Sequence, residues 1–560
     1  MPPQPSRRLR SHRPAAAWDV SSLTGTLSIR ARVPVGADAG DSRFGDPLLD
    51  DLARRGPLSR ERFEVHWGDT AALTALGNAK RAPLPDALRS ELADYHRRLG
   101  ASAASLASLD RLARGEAVCS VAGQQPAPLG GPLYSLHKTA SAVGLAAEFA
   151  DRTGLPCVPL FWMHGEDSDF SEIRSATVAD AGLTLHDLVL PDDVHRDGGL
   201  VGAIAREPLE RLEREALSCW AGLPGAGDAG ALIERARGRA GDLGESISAL
   251  MLALFAEQGL VVVDPRLPAF RAAARGVIDR YLAHSDALAE AARRAGGWLE
   301  ARIGRRPLAD ASLDSFVFAI EDGVRRKIAP AEARASGNRV MLSPSVALRP
   351  AVQDGVLPTV AMACGPGEIA YLLQLREVFE GVSVRPACPV PRLAATWLPP
   401  AAVALLEASG AEAIELVTSA DAVLRRHSER AVPEAPLAVL ERAHAEAVAG
   451  LARVSEACRA VDASLPQMVD SARAKIDFQF QRLREGVVGK VLKKLERQHP
   501  EWLRLRYYLM PGEKWQERRL ASLEIAAYRG HAAGGETADL ARDHARRLAG
   551  GVLEHVVIEL

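Results

Sequence analysis

Apolar and polar positions fall along this chain in blocks whose lengths fit strands and helices. An apolar run from Ala117 to Ala122 ends abruptly at Gly123-Gln124-Gln125. A loop rich in Pro and Gly follows. A helix is then expected from near Tyr134, with His137 and Lys138 in its first turn, stopping at Gly154. A second apolar run, Pro156 to Met163, closes on an acidic turn, Gly165-Glu166-Asp167-Ser168-Asp169. The order is strand, loop, helix, strand, with polar side chains at both strand ends. Ligands of open α/β sheets sit outside the carboxyl ends of the strands, so chemistry is expected at these two turns.

Elsewhere, Leu88, Leu92, Tyr95 and Leu99 recur at helical spacing within Asp86 to Leu109. Ser175 to Asp180 and Thr184 to Leu190 read as short strands around a turn at Ala181-Gly182. Residues 207–259 read as mostly helical, 260–263 as a short buried strand and 269–295 as one long helix. Phe316 to Ile320, Val340 to Leu342 and Ala347 to Arg349 read as strands. The stretch from Val356 to Glu380 repeats the first plan. Its apolar strand ends at Gly365, and Pro366 takes the first helical position, which its fixed φ favours. Glu368 and Tyr371 lie on the first turns. The free N–H groups of such a helix start favour a carboxylate or a phosphate.

From Pro399 the composition becomes Ala-rich and helical. Between Pro436 and Leu495 apolar residues recur every three or four positions, across a turn near Ser464-Leu465-Pro466. That pattern predicts an antiparallel helical hairpin. It is either a solvated pair packed on its own domain or a projecting coiled coil that pairs with a second copy. The boundaries divide the chain into an N-terminal tail and extension (1–60), an α/β catalytic core with insertions (61–398), a helical coiled-coil domain (399–505) and C-terminal helices returning to the core (506–560).

Composition narrows the class. A length of 560 residues exceeds what one hydrophobic core usually holds. The 47% hydrophobic and 25% charged content is that of a soluble globular protein. A net charge of −2 suggests no nucleic-acid partner. No apolar run reaches the roughly 18 residues of a membrane span. The basic, Pro-rich start MPPQPSRRLRSHRP lacks an apolar signal core, so a cytoplasmic location is expected. The six cysteines are scattered without a C-x-x-C pair, which predicts neither a disulfide framework nor a zinc knuckle.

His137, Lys138, Glu166, Asp167 and Asp169 are candidates for one polar site. Lys138 can neutralise an anion. Glu166 and Asp167 are the candidate acid–base groups, with His137, because neighbouring carboxylates can push one pKa toward the range of a useful base. The plainer alternatives are a helix-capping role for Asp169 and a surface pair for His137 and Lys138. A metal on His164, Glu166, Asp167 and Asp169 would lack a second His at ligand spacing, so none is expected. Walker, dinucleotide-fold and nucleophile-elbow signatures are absent, which weighs against a P-loop ATPase, an NAD dehydrogenase and an α/β-hydrolase.

Four stretches carry a resemblance: AGQQPAPLGGPLYSLHK (Ala122 to Lys138), PLFWMHGEDSDFSEI (Pro159 to Ile173), AMACGPGEIAY (Ala361 to Tyr371) and PRLAATW (Pro391 to Trp397). With FAEQGLVVVDP (Phe255 to Pro265) and PGEKWQER (Pro511 to Arg518), they resemble, in the same order, the BshC family of cysteine ligases in bacillithiol biosynthesis. This chain has Ser168 where that family's acidic turn usually has His, and Ala122 and Cys364 where Gly is common. The resemblance implies an α/β fold: a Rossmann-like parallel-sheet core with inserted connecting segments, plus an α-helical coiled-coil domain that forms a homodimer. It implies a ligase that joins cysteine, through its carboxyl group, to the amine of glucosaminyl-malate, with ATP or another nucleotide as candidate cofactor. Lys138, Arg349 and Arg392 would suit the malate carboxylates. The expected substrate-binding set is Gly123, Gln124, Gln125, Lys138, Asp169, Arg349, Gly365, Gly367, Glu368, Tyr371 and Arg392. A nucleotidyltransferase-like amide ligase of another substrate, or a non-enzymatic coiled-coil scaffold, are the alternatives.

Overall fold

Five short strands form the centre: β1 (Val118–Gln124), β2 (Cys157–Met163), β3 (Val261–Val263), β4 (Thr359–Cys364) and β5 (Cys388–Pro391). They are apolar at nearly every position because the sheet is covered on both faces, as parallel sheets are. The computed structural model describes residues 27–35, 45–415, 423, 434–459, 461–462, 465–498 and 500–560. The strand order is β5-β4-β1-β2-β3 and every pairing is parallel. This is the Rossmann-like core that the resemblance implies.

Helix α1 (Leu133–Thr153) carries the chain from β1 back to β2. It ends at Gly154, whose φ of 71° is a left-handed cap that glycine adopts without steric cost. Its small residues have a packing reason. The helix Ala533–Ala549 lies against α1 so closely that a Cβ on Gly144 would fall 2.5 Å from the Arg542 backbone nitrogen.

Two long insertions build on this frame. Residues 164–260 hold the antiparallel pair Ser175–Ala179 and Leu185–Val189 and three longer helices, Leu209–Cys219, Ala226–Arg237 and Leu243–Leu254. Residues 264–358 hold an antiparallel three-stranded sheet of Val317–Glu321, Val324–Lys327 and Met341–Pro344. The single helix expected over 269–295 is two, Pro268–Ala283 and Ser285–Ile303, broken at His284. Ala347 to Arg349, expected as a strand, instead leads into helix α2 (Arg349–Val356), with Pro350 in its first turn. A short apolar run does not distinguish the two by periodicity alone.

The final segment is more than helices. Glu554–Glu559 pairs in parallel with Ala394–Leu398 and antiparallel with Ser28–Pro34. The ends of the chain thus close a second sheet, so the expected N-terminal extension includes a paired strand. The hairpin is present as Glu434–Arg459 packed on Leu465–Gln498. Ser464 of its expected turn lies outside the described residues, as does most of 416–433. Val439, Val454, Met468, Phe478 and Leu483 are exposed on it. Among the described residues, no helix is long and apolar enough to cross a membrane.

Burial fixes the response of the fold to acid. His96 is fully buried; its Nδ1 bonds the Leu92 carbonyl and its Nε2 accepts the Val262 N–H. Burial pushes the imidazoles of His96, His544 and His555 down to about 4. A base with a lowered folded pKa takes up protons more readily when unfolded, so stability falls as pH drops from about 6.5 to 4. Each such shift is worth on the order of 3 kcal/mol across that window. Glu524, pushed up by burial to about 7, opposes this in nearly the same range, one group against three. Calorimetric scans should therefore show the melting temperature dropping steadily between pH 6.5 and 4; a flat profile would contradict the neutral burial of these rings.

Candidate functional site

Where β1 and β4 lie side by side, the chain leaves them in opposite directions, toward β2 on one side and β5 on the other. Such a switch point leaves a crevice at the carboxyl ends, and a cleft of about 760 Å³ occupies it. Gly123, Gln124 and Gln125 at the end of β1 and Glu166 and Asp167 after β2 share this cleft. Helix α1 adds Tyr134 and Lys138. Helix α2 adds Arg349. Helix α3 (Pro366–Gln374), entered through Gly365, adds Gly367, Glu368 and Tyr371. The inserted three-stranded sheet overhangs the opening with Phe318, Arg325 and Ser343. Arg392 and Arg518 complete the rim.

Several cleft charges are already balanced. Lys138 Nζ lies 2.7 Å from Glu368 Oε2 and donates to the Gly123 carbonyl at 3.1 Å and to Gln124 Oε1 at 3.2 Å. Burial works against the Glu368 carboxylate, yet Lys138 and the Gly365 N–H hold its pKa below the usual range. Arg392 makes a two-pronged pair with Glu517, at 2.7 and 2.5 Å. Behind that pair, His137 is fully buried, bonded through Nδ1 to Glu517 Oε2 at 3.0 Å. The Trp397 indole N–H donates to its Nε2 at 2.9 Å, which places the ring proton on Nδ1.

Glu166 has both oxygens engaged. Arg271 bonds Oε1 and Ser343 donates to Oε2 at 2.7 Å. Burial raises its pKa, against the pull of Arg271 and Ser343. Asp167 is more open: Gln125 donates to Oδ2 at 2.7 Å, while Arg325 reaches Oδ1 at 3.5 Å. Gln125 also donates to Glu172 at 3.0 Å, so this wall is acidic. Arg349 has a different standing. It is buried, donates to the Tyr371 hydroxyl at 2.7 Å and to Gln353 at 3.3 Å, and has no carboxylate within 4.0 Å among the described residues, though it feels the charge of Glu368.

Twelve of the fourteen expected site residues line the cleft, and two do not. His137 faces the core side of the Arg392–Glu517 pair, because its ring is enclosed by Glu517 and Trp397. It bonds Glu517, the partner of Arg392, and does not line the cleft. Asp169 is exposed and caps the short helix Phe170–Ile173 through the Glu172 N–H, so the capping alternative describes it. Glu166 lines the cleft with a protein partner on each oxygen. Lys138 and Arg392 line the cleft and are ion-paired there with Glu368 and Glu517.

Sequence reasoning weighed His164 only as a metal ligand and missed Arg325, Ser343, Arg518 and Glu517. The last two lie in the PGEKWQER stretch, whose resemblance was the available signal. Arg325 and Ser343 come from an insertion whose pattern says nothing of the cleft. Among the described residues, no group of His, Cys, Asp and Glu is arranged to hold a metal ion.

With this geometry in place, likenesses to known proteins gain meaning. Residues 55–339 and 331–393 match the family described as "Bacillithiol biosynthesis BshC, N-terminal Rossmann-like domain". Proteins named "Putative cysteine ligase BshC" are similar over most of the chain. That of Geobacillus kaustophilus is 29% identical over 78% of this chain and 84% of its own length. That of Geobacillus thermodenitrificans is 29% identical over 89% and 92%, and that of Solibacter usitatus 29% over 76% and 82%.

Proposed function

The chain belongs to the BshC family of bacillithiol biosynthesis, and on that premise we propose that it is a cysteine ligase forming an amide between the cysteine carboxyl and the amine of glucosaminyl-malate. The observation that carries this reading is the polarity of the cleft. Arg349 stands on one wall without a carboxylate partner, steadied by Tyr371 and Gln353. Asp167 and Glu172 stand on another, joined by Gln125. A dicarboxylate such as malate suits the first wall, since a guanidinium grips a carboxylate with two parallel N–H donors. An ammonium suits the second.

Amide formation from a free acid needs activation, and a nucleoside triphosphate would supply it. Arg325, Lys327 and Arg518, together with the Gly367 N–H at the start of α3, offer donors for its phosphates. The chain's own work is then binding, orientation and proton handling. Thiol profiling of a deletion strain by mass spectrometry tests the reading: loss of bacillithiol with accumulation of glucosaminyl-malate is expected. Unchanged thiol pools would favour the scaffold alternative.

The hairpin supports a homodimer. Its exposed Val439, Val454, Met468, Phe478 and Leu483 form more apolar surface than a solvated pair needs. Replacing residues 434–498 by a short linker should give a monomer by light scattering with the core still folded. A full-length protein that is itself monomeric would remove the dimer from the account.

A further inference from the structure

His164 stands at the carboxyl end of β2 and lines the cleft, yet neither of its ring nitrogens has a protein partner among the described residues. Most other buried histidines here are tied: His96 to Leu92 and Val262, His137 to Glu517 and Trp397, His544 to Pro391. The chain also makes room for this ring. A Cβ on Gly123 would lie 2.7 Å from His164 Nε2, so glycine at the end of β1 is what lets the imidazole sit there. That contact closes off Nε2 and leaves Nδ1 as the position open to the cleft.

Resting on the ligase reading above, we propose that His164 is the general base of the reaction, taking a proton from the substrate amine on Nδ1. The co-reactant is a cysteine carboxyl activated as a mixed anhydride with phosphate. The amine nitrogen bonds to its carbonyl carbon, the carbon–oxygen bond to the phosphate breaks, and the phosphate leaves with the electron pair. The proton lost by nitrogen goes to Nδ1 and then to solvent.

The surroundings suit that role. Burial, then Arg349, Lys138 and Arg325, hold the imidazole well below its usual pKa, so the ring is neutral in the empty cleft and resists protonation until those cations are offset. Lys138 is offset by Glu368, and Arg325 meets Asp167 only at 3.5 Å. Arg349 has no such partner, and a bound carboxylate would supply it. Substrate binding thus removes part of the field that opposes protonation of His164. The competing carboxylate, Glu166, has both oxygens committed to Arg271 and Ser343.

The experiment compares wild type, His164→Gln and His164→Ala in turnover with cysteine, glucosaminyl-malate and ATP, and in nucleotide-free calorimetric titration with glucosaminyl-malate. Loss of a positioned base costs on the order of 10²- to 10⁴-fold in kcat. Expected are that loss in both variants, a glucosaminyl-malate Kd within about threefold of wild type, and partial recovery of His164→Ala on adding free imidazole. If His164→Ala does not fold, the bulkier His164→Gln alone decides, by kcat lost with Kd kept. An unchanged kcat would overturn the assignment. So would a loss explained by weaker binding, or a folded His164→Ala that imidazole does not rescue. A wild type that binds glucosaminyl-malate but forms no product would sink the ligase reading first, and this assignment with it.

Discussion

Arg349→Ala is expected to raise KM for glucosaminyl-malate roughly 10- to 150-fold with a smaller change in kcat. Those limits convert the ~1.5–3 kcal/mol that a hydrogen bond to a charged group contributes. The argument rests on charge balance. Lys138 already pairs with Glu368 and Arg392 with Glu517, so neither has a free charge to offer. Arg349 is buried with only a hydroxyl and an amide as fixed partners. A substrate carboxylate there gains a charged contact in a largely dry wall and displaces no internal ion pair. Contact with a non-reacting part of the substrate is uniform binding, which appears in KM. Arg349→Lys should recover little, because an ammonium cannot reproduce the two-pronged fork. Tyr371→Phe should show a weaker form of the same defect. Steady-state kinetics with circular dichroism as a fold check decides the matter: a folded Arg349→Ala whose KM stays within twofold of wild type would show that the malate end binds elsewhere.

Glu517→Gln is expected to lower stability by about 3–5 kcal/mol, the usual effect of removing one partner from a buried ion pair. Glu517 is buried, with Arg392 on both oxygens and the His137 N–H on one of them. Burial alone would raise its pKa, but Arg392 and His137 hold it far below the usual carboxylate range. With folded pKa below unfolded, the contribution is present above pH ~4.5 and lost as the pH falls further. The glutamine variant should therefore differ most from wild type at neutral pH and converge with it in acid. Replacing both members, Arg392→Met with Glu517→Leu, should cost less than Glu517→Gln alone, because no charge is left stranded. Denaturant titrations of wild type and the two variants check this. A single-variant loss below about 1 kcal/mol would mean the pair is hydrated and not a structural lock.

The fold was legible where local pattern and long-range order agree. The apolar blocks at Ala117–Ala122, Pro156–Met163 and Val356–Cys364 read as buried strands, and glycine at 123, 165 and 365 marked their exits. That sufficed to place the two polar turns in one crevice, because consecutive parallel strands joined by a helix are usually neighbours. The Val324–Lys327 strand was not legible: four residues in which Val324 stands before three cations have no apolar alternation. The pairing of Ser28–Pro34 with Glu554–Glu559 joins segments more than five hundred positions apart, and nothing local predicts it. The site shows the same division. Residues on the strand-end turns were found from their position. What each one does was not, because it depends on partners from distant segments. Lys138 reads as a free cation until Glu368 is seen beside it, and Glu166 reads as a base until Arg271 and Ser343 are seen on its oxygens. His137 adjoins Lys138 in sequence, yet one turns to the core and the other to the cleft.

The central claim, amide formation between cysteine and glucosaminyl-malate, is tested most directly by incubating the purified chain with both substrates and ATP and analysing the mixture by mass spectrometry. The account predicts a new thiol whose mass is the sum of the two substrates less one water, with fragments that place the new bond between the cysteine carbonyl and the sugar nitrogen. A folded protein that yields no such product with ATP or any other nucleoside triphosphate, or that joins cysteine through another atom, would contradict it.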